Sequence, residues 1–218
     1  MLKGLTWPIQ ETAMSGDTIN DLATLEQLYG KPAAPSVFKE VSYIHPAYRP
    51  FIEAAPFAAL STVGPDGMDV SPRGDPAGFI HIEDEKTLLL PDRRGNNRID
   101  SLRNILHDNR VALLLLIPGI GETLRINGRA EIVVAPAMLQ RFVHRNQLPR
   151  SVLRIRVEAV FFQCSRAILR SGLWEEGSRL ERSALPSPGH ILAAVSQTRF
   201  DGEEYDSALP QRLKDTLY

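Results

Sequence analysis

The segment Thr123-Leu124-Arg125-Ile126-Asn127-Gly128-Arg129-Ala130-Glu131-Ile132-Val133-Val134 holds the clearest pattern in the chain. Leu124, Ile126, Gly128, Ala130, Ile132 and Val134 interleave with polar or charged neighbours. Period two over this length predicts a long strand with one buried face. Val152–Phe162 alternates again, with Leu153, Ile155, Val157, Ala159 and Phe161 expected inward. The unbroken apolar run Val111–Ile117 reads as a fully buried strand. Upstream, Phe57–Val63 and Met68–Ser71 flank the turn signal Gly64-Pro65-Asp66-Gly67. Phe79–Ile82 and Thr87–Leu90 flank a charged turn at Glu83–Lys86.

Helical signals are fewer. Ile19, Leu22, Leu25 and Leu28 recur at helical spacing within 15–30, with Ser15 or Asp17 as caps and Gly30 as terminator. Lys31–Ser36 is a Pro/Ala-rich connector. Short helices are expected over Tyr48–Ala54, Arg98–His107, Pro136–Arg145 and His190–Ser196. About six strands joined mostly by tight turns, without regular strand–helix alternation, predict a mainly β, six-stranded antiparallel barrel with flanking helices. The division expected is a helical extension over 1–40, a barrel domain over 41–175 and a peripheral arm over 176–218.

Composition bounds the function. The 218 residues carry 25 Lys plus Arg against 26 Asp plus Glu, so no basic excess points to nucleic acid. Hydrophobic residues make up 43%, an ordinary globular value. The single cysteine, Cys164, rules out an internal disulfide and reads as a small core residue rather than a nucleophile. The histidines lack zinc-ligand spacing, and no metal is expected. Neither a signal peptide nor a membrane span is expected, and the compartment expected is cytoplasmic.

The chemistry concentrates in Leu90-Pro91-Asp92-Arg93-Arg94-Gly95-Asn96-Asn97-Arg98, where a strand enters a loop with three arginines and a helix begins. Helix N-termini leave backbone N–H groups unpaired, and guanidinium forks suit phosphate oxygens, so the segment is a candidate phosphate cradle. The ordinary alternative is that Asn96 or Asn97 caps the helix and the arginines are solvated. It is neither a Walker loop nor a Rossmann fingerprint. Ser71-Pro72-Arg73-Gly74-Asp75-Pro76 is a second candidate, an irregular strand end able to approach a flat ligand. Arg166 and Trp174 form a third, with Trp174 as core anchor or ligand contact. Arg125, on the polar face of the long strand, faces solvent or meets a ligand across a dimer interface.

Together these segments resemble the pyridoxamine 5'-phosphate oxidase-like, FMN-binding split-barrel family. The strand and turn at Ala58–Gly67, Ser71–Gly74, Asp92–Arg98, strand 111–117, Leu124–Gly128 and Cys164-Ser165-Arg166-Ala167 with Trp174 follow in the family's order. The resemblance implies a homodimer of six-stranded split barrels with FMN at the interface. It implies that Asp92, Arg93, Arg94, Asn97 and Arg98 belong to the phosphate loop. It places Ser71, Arg73, Gly74 and Asp75 along the flavin ring, with Arg125, Arg166 and Trp174 contributed near the interface. The implied activity is FMN-dependent oxidoreduction of a small molecule, with a nicotinamide as possible donor. A non-catalytic flavin-sensing module, or a barrel using haem or a deazaflavin, is the alternative. The oxidase's own basic strand, its Ser-Arg-Lys loop and its C-terminal Arg-x-His motif are absent, which argues against pyridoxamine phosphate as substrate.

Overall fold

The computed structural model describes residues 18–197 and 199–218. Two units separate by their contacts, one ending at Phe38 and one running from Lys39 to Tyr218. In the first, α1 (Leu22–Tyr29) starts at Asp21, whose carboxylate accepts from the Thr24 amide, and ends at Gly30 with φ +69°. Glycine suits that left-handed stop. The expected caps Ser15 and Asp17 lie outside the described residues. A short α2 (Ala34–Phe38) forms within part of the expected connector.

The second unit is built on one antiparallel sheet. Its strands are β1 (Phe57–Gly64), β2 (Gly67–Gly74), β3 (His81–Asp84), β4 (Thr87–Asp92), β5 (Asp108–Leu116), β6 (Thr123–Val133) and β7 (Ser151–Gln163). The order is β2-β1-β5-β6-β7-β4-β3, with β2 and β3 as edges. The mainly β, split-barrel expectation therefore holds, with seven strands rather than six. β2 runs past Ser71 to Gly74 as regular strand. Pro72 is accepted there because β2 is an edge and needs no second ladder partner.

β6 and β7 form the spine, and Leu124, Ile126 and Ala130 are buried as the alternation requires. Ile132 is only partly buried, and Val134 lies beyond the strand and is exposed. On β7 the inward set changes halfway. Asn127 pairs with Ala159 while Gly128 pairs with Val157, so Glu158 is an extra residue in the ladder. This bulge reverses the parity. Leu153, Ile155 and Val157 are buried before it, and Val160 is buried after it, with Phe162 packed on the core. Phe161, expected inward, instead lies across from Arg125, whose guanidinium sits 4.8 Å from its ring centre. Gly128 is needed at this point, because a Cβ there would stand 2.3 Å from the Arg156 carbonyl oxygen.

The flanking helices are α3 (Arg49–Ala54), α4 (Asp100–His107), α5 (Pro136–Gln140), α6 (Arg166–Ser171), α7 (Pro188–Val195) and α8 (Gly202–Thr216). α5 stops well short of Arg145, and Arg145 and Asn146 turn through left-handed backbone instead. The arm carries two helices rather than one. α8 was hidden from the sequence reading by Pro210 in its interior and by a mostly polar composition. α7 and α8 meet where the Gly189 amide donates to Asp206 (2.7 Å). Cys164 is exposed, not core, because it lies just past the end of β7.

Candidate functional site

A cavity of about 730 Å³ opens where β2, the end of β4, the start of α4 and the start of β7 converge. Ligand sites commonly span ~300–1,000 Å³. The register explains the convergence. Asp92 at the end of β4 pairs with Ser151 at the start of β7, and the Arg150 amide donates to the Asp92 carbonyl. Residues 93–99 then cross to α4 with left-handed backbone at Asn97 (φ +61°) and Ile99 (φ +54°).

Neither asparagine caps α4. Asn96 accepts from the Arg98 amide, Asn97 accepts from Arg150 Nη1, and Ile99 stands at the cap position with no side-chain oxygen to offer. The first turn, Asp100–Leu102, lines the cavity with no side chain capping its backbone N–H groups. The ordinary alternative for this loop, a plain Asn cap, is therefore not what forms. Ser151 sharpens the point. It is 4% exposed, it lines the cavity, and its hydroxyl has no hydrogen-bond partner. A buried hydroxyl left unpaired costs ~1–3 kcal/mol.

The arginines differ in commitment. Arg93 donates through Nε to Asp75 (2.9 Å) and through Nη1 to the Phe142 carbonyl (2.6 Å). Arg98 is exposed and donates to Asp100 (2.8 Å). Arg94 makes no hydrogen bond or ion pair among the described residues, although it lines the cavity. On β2, Arg73 folds back onto Ser71 Oγ (2.7 Å) and the Pro72 carbonyl (2.9 Å), and its Nε lies 3.9 Å from Asp92. Burial makes the Arg73 guanidinium easier to deprotonate than usual, with the carboxylates of Asp92 and Asp69 opposing. Burial also pushes the Asp92 carboxyl above its ordinary range, against the pull of Arg73 and Arg150.

Of the twelve residues singled out in the sequence, Ser71, Arg73, Gly74, Asp92, Arg93, Arg94, Asn97 and Arg98 line this one cavity. Asp75 stands behind Arg93 with its side chain 4% exposed. Arg125, Arg166 and Trp174 do not line the cavity. Trp174 donates its indole N–H to the Ile120 carbonyl (2.8 Å) and anchors the loop between β5 and β6. The sequence reading missed Arg150 and Ser151. Their only signal was a polar pair just ahead of an alternating strand. Among the described residues, no group of side chains could hold a metal ion, and no helix is long and apolar enough to cross a membrane.

An antiparallel split barrel with an arginine-rich cavity between β2 and the β4–β7 pair defines the class of protein. The pyridoxamine 5'-phosphate oxidase family model matches residues 44–164, more than half of the chain, and the chain belongs to that family. Among solved structures, it is similar to HupZ of Group A Streptococcus, at 20% identity over 56% of this chain and 95% of that one, with a TM-score of 0.46. It is similar to an F420 reductase at 22% identity over 55% of this chain and 98% of that one, with a TM-score of 0.40. General Stress Protein 26 of Bacillus anthracis str. Sterne is 17% identical over 52% of this chain and 88% of that one, also with a TM-score of 0.40. A search of curated proteins found no significant match.

Proposed function

We propose that this protein is an FMN-binding flavoprotein and an FMN-dependent oxidoreductase acting on a small molecule. The observation that carries the reading is the uncapped first turn of α4 facing a cavity in which Ser151 Oγ lies buried without a partner. An oxyanion at that point would accept from both, with Arg94 free to pair with it and Arg98 beside it. Among the residues that line the cavity, Arg73, Arg93, Arg94, Arg98 and Arg150 outnumber Asp69, Asp92 and Asp100, an excess of positive charge suited to a phosphate. The residues present thus fit the phosphate end of FMN.

The ring end falls to β2. Ser71, Arg73 and Gly74 form a flat strand edge along which a planar ligand can lie. Bound FMN supplies hydride and one-electron chemistry, and the protein supplies position and charge. Arg73, partly sheltered from water, places positive charge near the ring, which favours an anionic reduced state. Of the carboxylates that line the cavity, Asp92 lies beside Arg73 and Asp100 accepts from Arg98, so neither stands free as a general acid or base. In this reading Arg125, Arg166 and Trp174 act on the site of a second copy in a homodimer.

The test is the visible absorption spectrum of the purified protein, with the released cofactor identified by mass spectrometry. A two-band flavin spectrum with one FMN per chain is expected, followed by bleaching on anaerobic addition of NADH or NADPH. A colourless protein that takes up no added FMN overturns the reading. Bound FMN that no nicotinamide reduces leaves the flavoprotein without that donor and favours the sensing alternative.

A further inference from the structure

Asp75 is the hub of a small buried network at the rim of the cavity. Its Oδ2 accepts from Arg93 Nε (2.9 Å) and its Oδ1 accepts from the hydroxyl of Tyr218 (2.8 Å). The two donors lie far from each other in sequence, on the phosphate loop and beyond the end of α8. Tyr218 is seated by more than this bond. Its ring lies 4.5 Å from that of His144, and the Arg145 guanidinium sits 4.9 Å from its centre. The left-handed pair Arg145 and Asn146 presents that surface. Tyr218, Arg93, Arg94 and Arg150 together wall a smaller recess of about 190 Å³ next to the main cavity.

Each atom in the network has a consequence for Arg93. With Nε held by Asp75 and Nη1 held by the Phe142 carbonyl, one terminal nitrogen of the fork remains for the cavities. Tyr218 satisfies the second oxygen of Asp75. Without that hydroxyl, a carboxylate only 4% exposed would keep an unpaired oxygen. The nearest remedy is a bidentate grip on Arg93, which would turn its free nitrogen away from the cavity. The hydrogen bond to Asp75 holds the Tyr218 phenol above its ordinary pKa, and a phenol is already a donor at neutral pH.

We propose that Tyr218 is a positioning residue that, through Asp75, keeps Arg93 turned toward the cavity and so sets the preference of the site for a phosphorylated ligand over its dephosphorylated form. The proposal rests on the flavin-phosphate reading above. It gives the terminal segment after α8 a role in recognition.

The experiment compares FMN and riboflavin on the full chain by flavin-fluorescence titration, in the wild type and in Tyr218→Phe. The phenylalanine keeps the ring against His144 and removes only the hydroxyl. FMN affinity is expected to fall about three- to tenfold with riboflavin affinity unchanged. In an Arg93→Gln background the same substitution should change neither. An equal loss for both flavins means a merely structural role and overturns the proposal, as does no loss for either. So does a wild type that binds the two flavins equally. If the wild type binds neither flavin, the flavin reading has failed, and calorimetric titration with inorganic phosphate decides the proposal alone. Weaker phosphate binding in Tyr218→Phe then sustains it; unchanged or absent binding overturns it.

Discussion

The arginines of the β6–β7 spine and those of the cavity are the same residue in opposite circumstances. Arg129 reaches Glu158 (2.7 Å) and Asn109 (3.1 Å) in open solvent, and Arg154 lies 3.8 Å from Glu131 on the paired strand. These are cross-strand partners on a wetted face, worth little individually. Arg94, at the cavity, has no partner among the described residues. On the spine, charge decorates a structure already decided by burial. At the cavity, backbone donors, a hydroxyl and a guanidinium converge with fewer acceptors than they need. The difference teaches that an arginine's role is set by which acceptors its strand register brings near, not by its residue type.

The contrast can be broken from the spine side first. Leu153 is fully buried on β7, and Leu153→Ala should destabilise the chain by ~2–5 kcal/mol in urea titration. A loss near zero would mean that the spine is not the core. Gly128→Ala should cost about 1–3 kcal/mol, because the new methyl meets backbone rather than a movable side chain.

The cavity side should respond in the opposite sense. Arg94→Ala is expected to leave unfolding within ~0.5 kcal/mol of wild type. It should nonetheless weaken FMN binding about tenfold, read by fluorescence titration. Ser151→Ala removes an unpaired buried hydroxyl, so the ligand-free protein should be as stable or more stable. FMN affinity should fall several-fold, since one net hydrogen bond is worth ~1 kcal/mol. A ligand-free Ser151→Ala protein that is clearly less stable would show that the hydroxyl has a partner in the fold.

The smallest effect concerns Asp92, whose carboxyl is raised above its ordinary 3.8 by burial. A raised folded value means that the ionised form is a cost to the fold. The associated stability is present below the unfolded value and is lost as pH rises through the folded one. Asp92→Asn should therefore be slightly more stable than wild type at neutral pH, and that advantage should shrink on acidification toward pH 4. Denaturation curves at the two pH values check both the sign and the direction of change.

Much of the fold was legible, because burial leaves a periodic trace in sequence. The alternation at Leu124–Ala130 required a strand, and the breaks at Gly64–Gly67 required a hairpin. The Arg/Asn loop was visible as a concentration of donors between a strand and a helix. What stayed hidden depends on register. Nothing local says that Ser151 pairs with Asp92 on the neighbouring strand, or that Tyr218 reaches Asp75 from the far end of the chain. The parity change on β7 was hidden too, because an inserted residue is invisible until its partner strand is known. Arg125, Arg166 and Trp174 were candidates from their own segments as well as from the family resemblance, and one chain alone brings none of them to the cavity.

The bulge at Glu158 has a consequence for chain length. Ala159–Gln163 already pair with Thr123–Asn127 as a straight ladder would demand. Deleting Glu158 would therefore leave every other side chain of β7 on its present face while removing the bend and the partner of Arg129. In most strands a one-residue deletion turns the following half inside out. At this position it acts as a change of curvature, which makes the strand's length a dial for the shape of the barrel rather than for the identity of its core.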